Sequence, residues 1–282
     1  MTRKQMNLIE TYRNDGVVHL PQVLDAGALQ HAREAFEWSL ANPGKGASKL
    51  IPGTPGSFYG DLANPHCFAA YEAVNTNTVI PALVTGLWDK PDIWFMYEQI
   101  FKKVGGQDGE SVRRTPWHQD LPYLPIQGND LAVVWISFEP LSADESLEFI
   151  IASHHGTLYD GSRFDPRDDT IPLYGTGDLP RLPDIEKSRD EYDIVSFPIQ
   201  PGDVVIFHPA MLHGGAPTAA GKTRSTLSLR YFGEDATVAW RPGDTMERIA
   251  KIGSGPEVHP MSRAKRLGEG APFRDEGFPR LL

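Results

Sequence analysis

The sequence has almost no cysteine. One thiol, Cys67, among 282 residues excludes an intramolecular disulfide and a thiolate metal cage. Positive charge is short as well: 27 Lys and Arg stand against 37 Asp and Glu, a formal net charge of −10. Such a surface repels phosphate backbones, so no nucleic-acid partner is expected. Long apolar runs are missing too. The longest, around 131–138, falls well short of the roughly 18 residues of a membrane span, so no membrane partner is expected. The start MTRKQMNLIE leads into no apolar signal stretch, and the expectation is a cytoplasmic protein.

Turn-forming residues are plentiful. The 27 Gly and 24 Pro suit many short strands joined by turns. A hydrophobic share of 40% is ordinary for a globular chain and excludes wholesale disorder. No repeat or linker divides the sequence, which reads as a single domain over 1–282. Helical periodicity covers 2–13 and 25–40, with Asp25 as an N-cap and a short strand at 16–20 between them. Residues 43–60 read as a Gly- and Pro-rich loop, and helical pattern returns near 65–74 and 79–87. From residue 92 the texture turns to strands, at 93–101, 131–138, 147–151, 194–197, 204–207 and 225–232. The polar stretch 156–193 is too long for a neutral connection and reads as a lid. The expected layout is thus a mainly helical support (1–91), a strand region with the lid-like insertion (92–240), and a C-terminal extension (241–282). This order predicts a mainly β fold, sandwich or barrel, with flanking helices.

Three segments carry chemistry. In Thr115-Pro116-Trp117-His118-Gln119-Asp120, period-two alternation puts His118 and Asp120 on one face and turns Gln119 away. An imidazole and a carboxylate so placed can reach one cation. The run PGDVVIFHPAMLHGG over 201–215 supplies two further histidines, His208 and His213. Either could complete the two-His, one-carboxylate set associated with non-haem Fe(II) oxygenases. In 222–231, Arg224 and Thr226 share a strand face, which suits a guanidinium fork and a hydroxyl gripping a buried carboxylate. Arg230 shares that face, about 20 Å along at roughly 3.3 Å per residue. Tyr97 and Gln99 share a face of an earlier strand, within reach of a ligand or packed in the core. Glu148 either faces the cavity or pairs with an arginine at the rim. Trp117 reads as packing beside the metal, and His154 and His155 as a surface turn.

Together these segments resemble the phytanoyl-CoA dioxygenase (PhyH) family of Fe(II)/2-oxoglutarate oxygenases, from Asp15 to about Gly233. The resemblance implies a double-stranded β-helix, a cupin-like jelly-roll barrel. It assigns His118, Asp120 and His213 as metal ligands and catalytic residues, and leaves His208 structural. Arg224, eleven residues beyond His213, stands where the family binds 2-oxoglutarate, with Thr226 beside it. Trp135 matches a cosubstrate-pocket tryptophan, and Tyr97 and Gln99 are candidate cosubstrate neighbours. The implied cofactors are Fe(II), 2-oxoglutarate and O2, with ascorbate helpful in vitro. The implied reaction oxidises a C–H bond of a small-molecule substrate, with succinate and CO2 released. Relatives that halogenate have a small residue in place of the Asp; Asp120 implies a hydroxylase instead. The run LEFIIASHHG departs from the family by carrying Ile151-Ala152 where Pro-Gly is usual. Two rivals remain: a cupin-like metal enzyme that uses no 2-oxoglutarate, and a non-catalytic small-molecule-binding barrel. Arg224 argues against the first, and the intact His118, Asp120 and His213 argue against the second.

Overall fold

The computed structural model describes residues 3–50, 56–106, 109–253 and 255–282. The strands are β1 (Val17–Leu20), β2 (Ser48–Lys49), β3 (Ser57–Leu62), β4 (Trp94–Val104), β5 (Thr115–His118), β6 (Ile126–Gln127), β7 (Leu131–Ser137), β8 (Leu147–Ile150), β9 (Ile194–Ser196), β10 (Val204–Phe207), β11 (His213–Gly215), β12 (Thr223–Phe232) and β13 (Thr237–Val238). The helices are α1 (Arg3–Asp15), α2 (Ala26–Ala41), α3 (Cys67–Ala70), α4 (Glu72–Thr76), α5 (Ile80–Trp88), α6 (Met246–Ala250) and α7 (Pro260–Ala264). Asp25 caps α2 as expected, its carboxylate accepting from the Ala28 N–H at 2.8 Å.

A large antiparallel sheet runs β1-β10-β7-β12-β4-β3-β2, and a small one runs β5-β11-β8-β9. Alternation along β12 explains how both faces of the large sheet are buried. Leu227, Leu229 and Tyr231 face outward, where they share a core with Ala32, Phe36, Val74 and Val84 of the helices. Trp135, Val205 and Phe207 face inward and pack against Leu147 and Phe149 of the small sheet, with Phe149 and Phe207 centroids 5.0 Å apart. The result is the expected mainly β jelly roll with helices outside. The two larger sheets face each other, held by side-chain packing, a two-stranded pair β13-β6 stands apart from them, and among the described residues no ladder of hydrogen bonds closes them into a barrel.

One expectation is corrected. Within 43–60, Ser48–Lys49 and Ser57–Leu62 are strands, and β3 pairs along β4 from Ser57 opposite Val104 to Leu62 opposite Gln99. Residues 51–55 of that stretch lie outside the described residues. Local composition reads as loop there, but the eleven-residue β4 offers an edge that organises its neighbour. The C-terminal stretch also belongs to the fold. Phe273 and Phe278 share a core with Ile126 and Phe232, and the Leu281 N–H donates to the Ile93 carbonyl at 3.0 Å. No helix among the described residues is long and apolar enough to cross a membrane.

Candidate active site

β5 and β11 lie side by side with His118 opposite His213, and Phe149 flanks His213 on β8. Asp120 follows β5 at the start of a short turn, Leu121–Tyr123. One ligand atom from each of His118, Asp120 and His213 lies within 4.8 Å of the others. Both histidines use Nδ1 on a backbone carbonyl, Pro116 for His118 and Met211 for His213, each at 2.9 Å. That contact fixes the tautomer and aims each Nε2 lone pair into the cluster. Burial, then the neighbouring His118, pushes the His213 imidazole down to about 3, so it is neutral and ready to ligate. Burial alone would raise the Asp120 carboxyl, but Arg230 and the two histidines outweigh it and hold the group well below the usual carboxylate range. Two imidazole nitrogens and one carboxylate suit a divalent first-row metal, with one face of an octahedron left open.

The inner face of the large sheet carries a graded series of side chains. Arg230 lies between Val133 and Tyr97, Ser228 between Trp135 and Gln99, Thr226 between Ser137 and Phe101, and Arg224 beside Lys103. Trp135, Thr226 and Tyr97 are buried and Gln99 half-buried, so all four expected neighbours face this interior. Arg224 lies at the end away from Arg230. Its Nη1 donates to the Glu145 carbonyl at 2.7 Å and more distantly to Ala216, and no carboxylate pairs with it among the described residues. A Cβ added to Gly215, two residues beyond His213, would stand 3.3 Å from Arg224 Nη2. The guanidinium therefore opens toward the backbone that carries the metal-facing histidine. Burial pulls Arg224 down to about 10, so it stays charged at working pH.

Lys103 was not found from sequence. It is 1% exposed, donates to Thr115 Oγ1 at 3.0 Å, and lacks a carboxylate partner among the described residues. Burial, then Arg224 and Arg114, lower its pKa well below the usual lysine range. Buried charges are normally paired, so the unpaired Arg224 guanidinium marks a place for an anion, and an anion bound there would also restore the charge of the neighbouring Lys103 amine. Arg230 was placed on the right face, but its partner was missed: Nη2 donates to Asp120 Oδ2 at 2.7 Å.

The remaining candidates fall outside the cluster. His208 accepts from the Ala210 N–H at 3.2 Å and contacts the Gly128 carbonyl. His154 and His155 sit on a short turn and both contact the Arg13 carbonyl. Glu148 pairs with Arg114 and Arg189 on the outer face of the small sheet. Gln119 points away from the metal cluster and holds the Tyr159 N–H at 2.9 Å. Trp117 corrects its expectation. It faces outward into a cluster with Leu182, Ile185 and Leu212, because alternation opposes it to His118. The stretch 156–193 thus packs on the outside of the small sheet through Leu182 and Ile185. At Phe164 it reaches the metal cluster, where that ring lies edge-on to His118.

Comparisons with known proteins agree with this fold. The peroxisomal phytanoyl-CoA dioxygenase of Homo sapiens is 26% identical over 163 residues, 57% of this chain and 46% of the relative. The chain thus spans about half the length of the curated relatives it matches. The epimerase SnoN, crystallised with Fe3+, alpha ketoglutarate and nogalamycin RO, aligns with a TM-score of 0.68 at 21% identity over 99% of each chain. The alpha ketoglutarate dependent carbocyclase SnoK aligns equally well at 18% identity, covering 100% of this chain and 97% of its own. The model of the phytanoyl-CoA dioxygenase (PhyH) family matches residues 12–226, well over half of the sequence, and the chain belongs to that family.

Proposed function

We propose that this chain is an Fe(II)/2-oxoglutarate-dependent oxygenase that hydroxylates a C–H bond of a small organic molecule. The observation that carries the reading is the buried Arg224 guanidinium, without a carboxylate partner among the described residues and set beside Gly215, two residues from His213, with the buried Lys103 amine next to it. A five-carbon dianion has one carboxylate for that pair and an oxoacid end for the metal.

In this reading His118, Asp120 and His213 hold the iron. The bound iron supplies the activation of O2 that decarboxylates 2-oxoglutarate to succinate and CO2 and oxidises the substrate. The chain's own residues do the rest. Arg224 meets the distal carboxylate as a two-donor fork, Thr226 adds a hydroxyl, and Lys103 adds a second charge. Trp135 and Gln99 line the row between the two ends, and Tyr97 lies under Arg230. Phe149 and Phe207 pack against His213, with centroids 6.0 and 4.7 Å away, and keep water from its side of the cluster. The presence of Asp120 favours hydroxylation over halogenation. A metal enzyme without an oxoacid would leave Arg224 and Lys103 without a partner, which disfavours that alternative. The lone cysteine is a buried free thiol, in keeping with a reducing cytoplasm.

The test is succinate release from 2-oxoglutarate with added Fe(II), ascorbate and a panel of small organic molecules. Release that needs Fe(II) and rises with one class of molecule supports the reading. Absence of Fe(II)-dependent 2-oxoglutarate binding in an anaerobic titration would overturn it.

A further inference from the structure

The two oxygens of Asp120 have different surroundings. Oδ1 faces Nε2 of His118 at 3.5 Å and of His213 at 3.9 Å, whereas Oδ2 lies 2.7 Å from Arg230 Nη2. Arg230 arrives from β12 where the register with β4 shifts between Arg230 and Tyr231. Such irregularities re-aim a side chain. Its guanidinium carbon lies 4.7 Å over the Tyr97 ring, which sets the plane of the fork. Arg230 is 4% exposed and Asp120 is its only ion-pair partner among the described residues. Nε and Nη1 are buried with no hydrogen-bond partner. Among the described residues the guanidinium is therefore held by Asp120 and Tyr97.

We propose that Arg230 is a positioning residue that confines Asp120 to one metal-facing oxygen and so keeps open the coordination place that O2 requires. This rests on reading the site as an iron and 2-oxoglutarate centre. The argument is a count of coordination places. Two imidazoles and one carboxylate oxygen take three places of an octahedron, and a chelating oxoacid takes two, which leaves one for O2. A carboxylate that turned both oxygens to the ion would take the last place. Oδ2 is kept from turning by a charge-assisted hydrogen bond, shorter and stronger than a neutral one. Neither Arg224 nor Lys103 can substitute, because both lie at the opposite end of the inner face.

The test compares the parent with Arg230→Met and Arg230→Gln, each saturated with Co(II) or Fe(II) under anaerobic conditions. Visible absorption of Co(II) weakens as coordination number rises, so with the oxoacid bound it separates a five-place site from one whose sixth place the second carboxylate oxygen fills. Both variants should show a weaker Co(II) band than the parent once 2-oxoglutarate is added. With Fe(II) and 2-oxoglutarate, their reaction with O2 should slow by about 10–100-fold, the range found when groups that orient metal ligands are removed. KM for 2-oxoglutarate should stay within a few-fold of the parent, which separates this role from that of Arg224. Arg230→Gln keeps a donor for Oδ2 without the charge, so it reports even where Arg230→Met fails to fold. A parent that binds no 2-oxoglutarate overturns the site reading and this proposal with it. A parent that does, beside a folded variant with its Co(II) band and O2 rate unchanged, overturns this proposal alone.

Discussion

Phe164 sits edge-on to His118, with ring centroids 5.3 Å apart and planes at 76°. It holds that position in a left-handed backbone conformation, φ 55°, that a bulky residue rarely adopts. Its ring stacks on Tyr123, whose hydroxyl donates to the Ser162 carbonyl at 2.7 Å. His118, Asp120 and His213 are only 9%, 8% and 5% exposed, and we expect this aromatic cover to move when substrate enters. Trypsin should cut first at the exposed Arg163 and Arg167. Fe(II), 2-oxoglutarate and a substrate together should slow that cleavage. Early cutting elsewhere, with no protection, would refute a lid in 156–193.

Arg224→Ala should weaken 2-oxoglutarate by roughly two to three orders of magnitude. Removing one member of a buried charge pair costs roughly 3–5 kcal/mol, at about 1.4 kcal/mol per tenfold. Lys103→Met should weaken it by about 10–100-fold, from roughly 1.5–3 kcal/mol for a hydrogen bond to a charged group. Iron binding should be near normal in both. Anaerobic titration of the Fe(II) protein with 2-oxoglutarate gives the affinities, and unchanged values would remove the oxoacid from this end of the cavity.

His213→Ala should abolish bound iron, whereas His208→Ala should retain it. The two imidazoles lie on one segment but only His213 Nε2 enters the cluster. Metal analysis after gel filtration distinguishes them, and iron lost only from His208→Ala would reverse the assignment.

Glu98 faces the helical side of β4, and burial pushes its carboxyl up to about 7. Oε1 accepts from the Asn64 N–H at 3.1 Å, and Oε2 lies near the Cys67 thiol without a hydrogen-bond partner in good geometry among the described residues. The folded-state value lies above the ordinary 4.5, so folding favours the protonated acid. Its contribution is complete below about pH 4.5 and is lost as pH rises through about 7, in total roughly 3 kcal/mol. Glu98→Gln removes this titration. In urea unfolding, Glu98→Gln should gain on the parent between about pH 5 and pH 8 by up to that amount. A gap that does not change with pH would show that Glu98 ionises in the fold without cost.

Ala152 adopts φ 59°, where the family resemblance expects glycine. An L-residue there costs roughly 1–2 kcal/mol, partly offset by the roughly 0.5–1 kcal/mol of chain entropy that glycine adds to the unfolded state. Ala152→Gly should stabilise the protein by about 0.5 kcal/mol in urea unfolding. A destabilised variant would show the turn to be unstrained.

Short-range order made much of this legible. Alternation placed His118 with Asp120, and Arg224 with Thr226 and Arg230, because a strand's period is fixed by its backbone. The same rule places Trp117 opposite His118, so its outward direction was available in the sequence. β3 was not legible, since its strand character comes from pairing with β4, a contact between residues about forty apart in sequence. Lys103 reads locally as one of two adjacent lysines, and only the fold sets it beside Arg224. The Arg230 contact with Asp120 spans 110 residues, a distance no local pattern carries.

Trp117 and Leu212 each immediately precede a metal-facing histidine, and both are buried against Leu182 and Ile185. The insertion is thus two pieces with unequal freedom to vary. Residues 159–175 bring Phe164 to the cluster, and this piece can be exchanged to admit a differently shaped molecule. Residues 182–191 are the outer half of the wall on which His118 and His213 are mounted, so a redesign of specificity can rebuild the first piece and has to leave the second as a foundation.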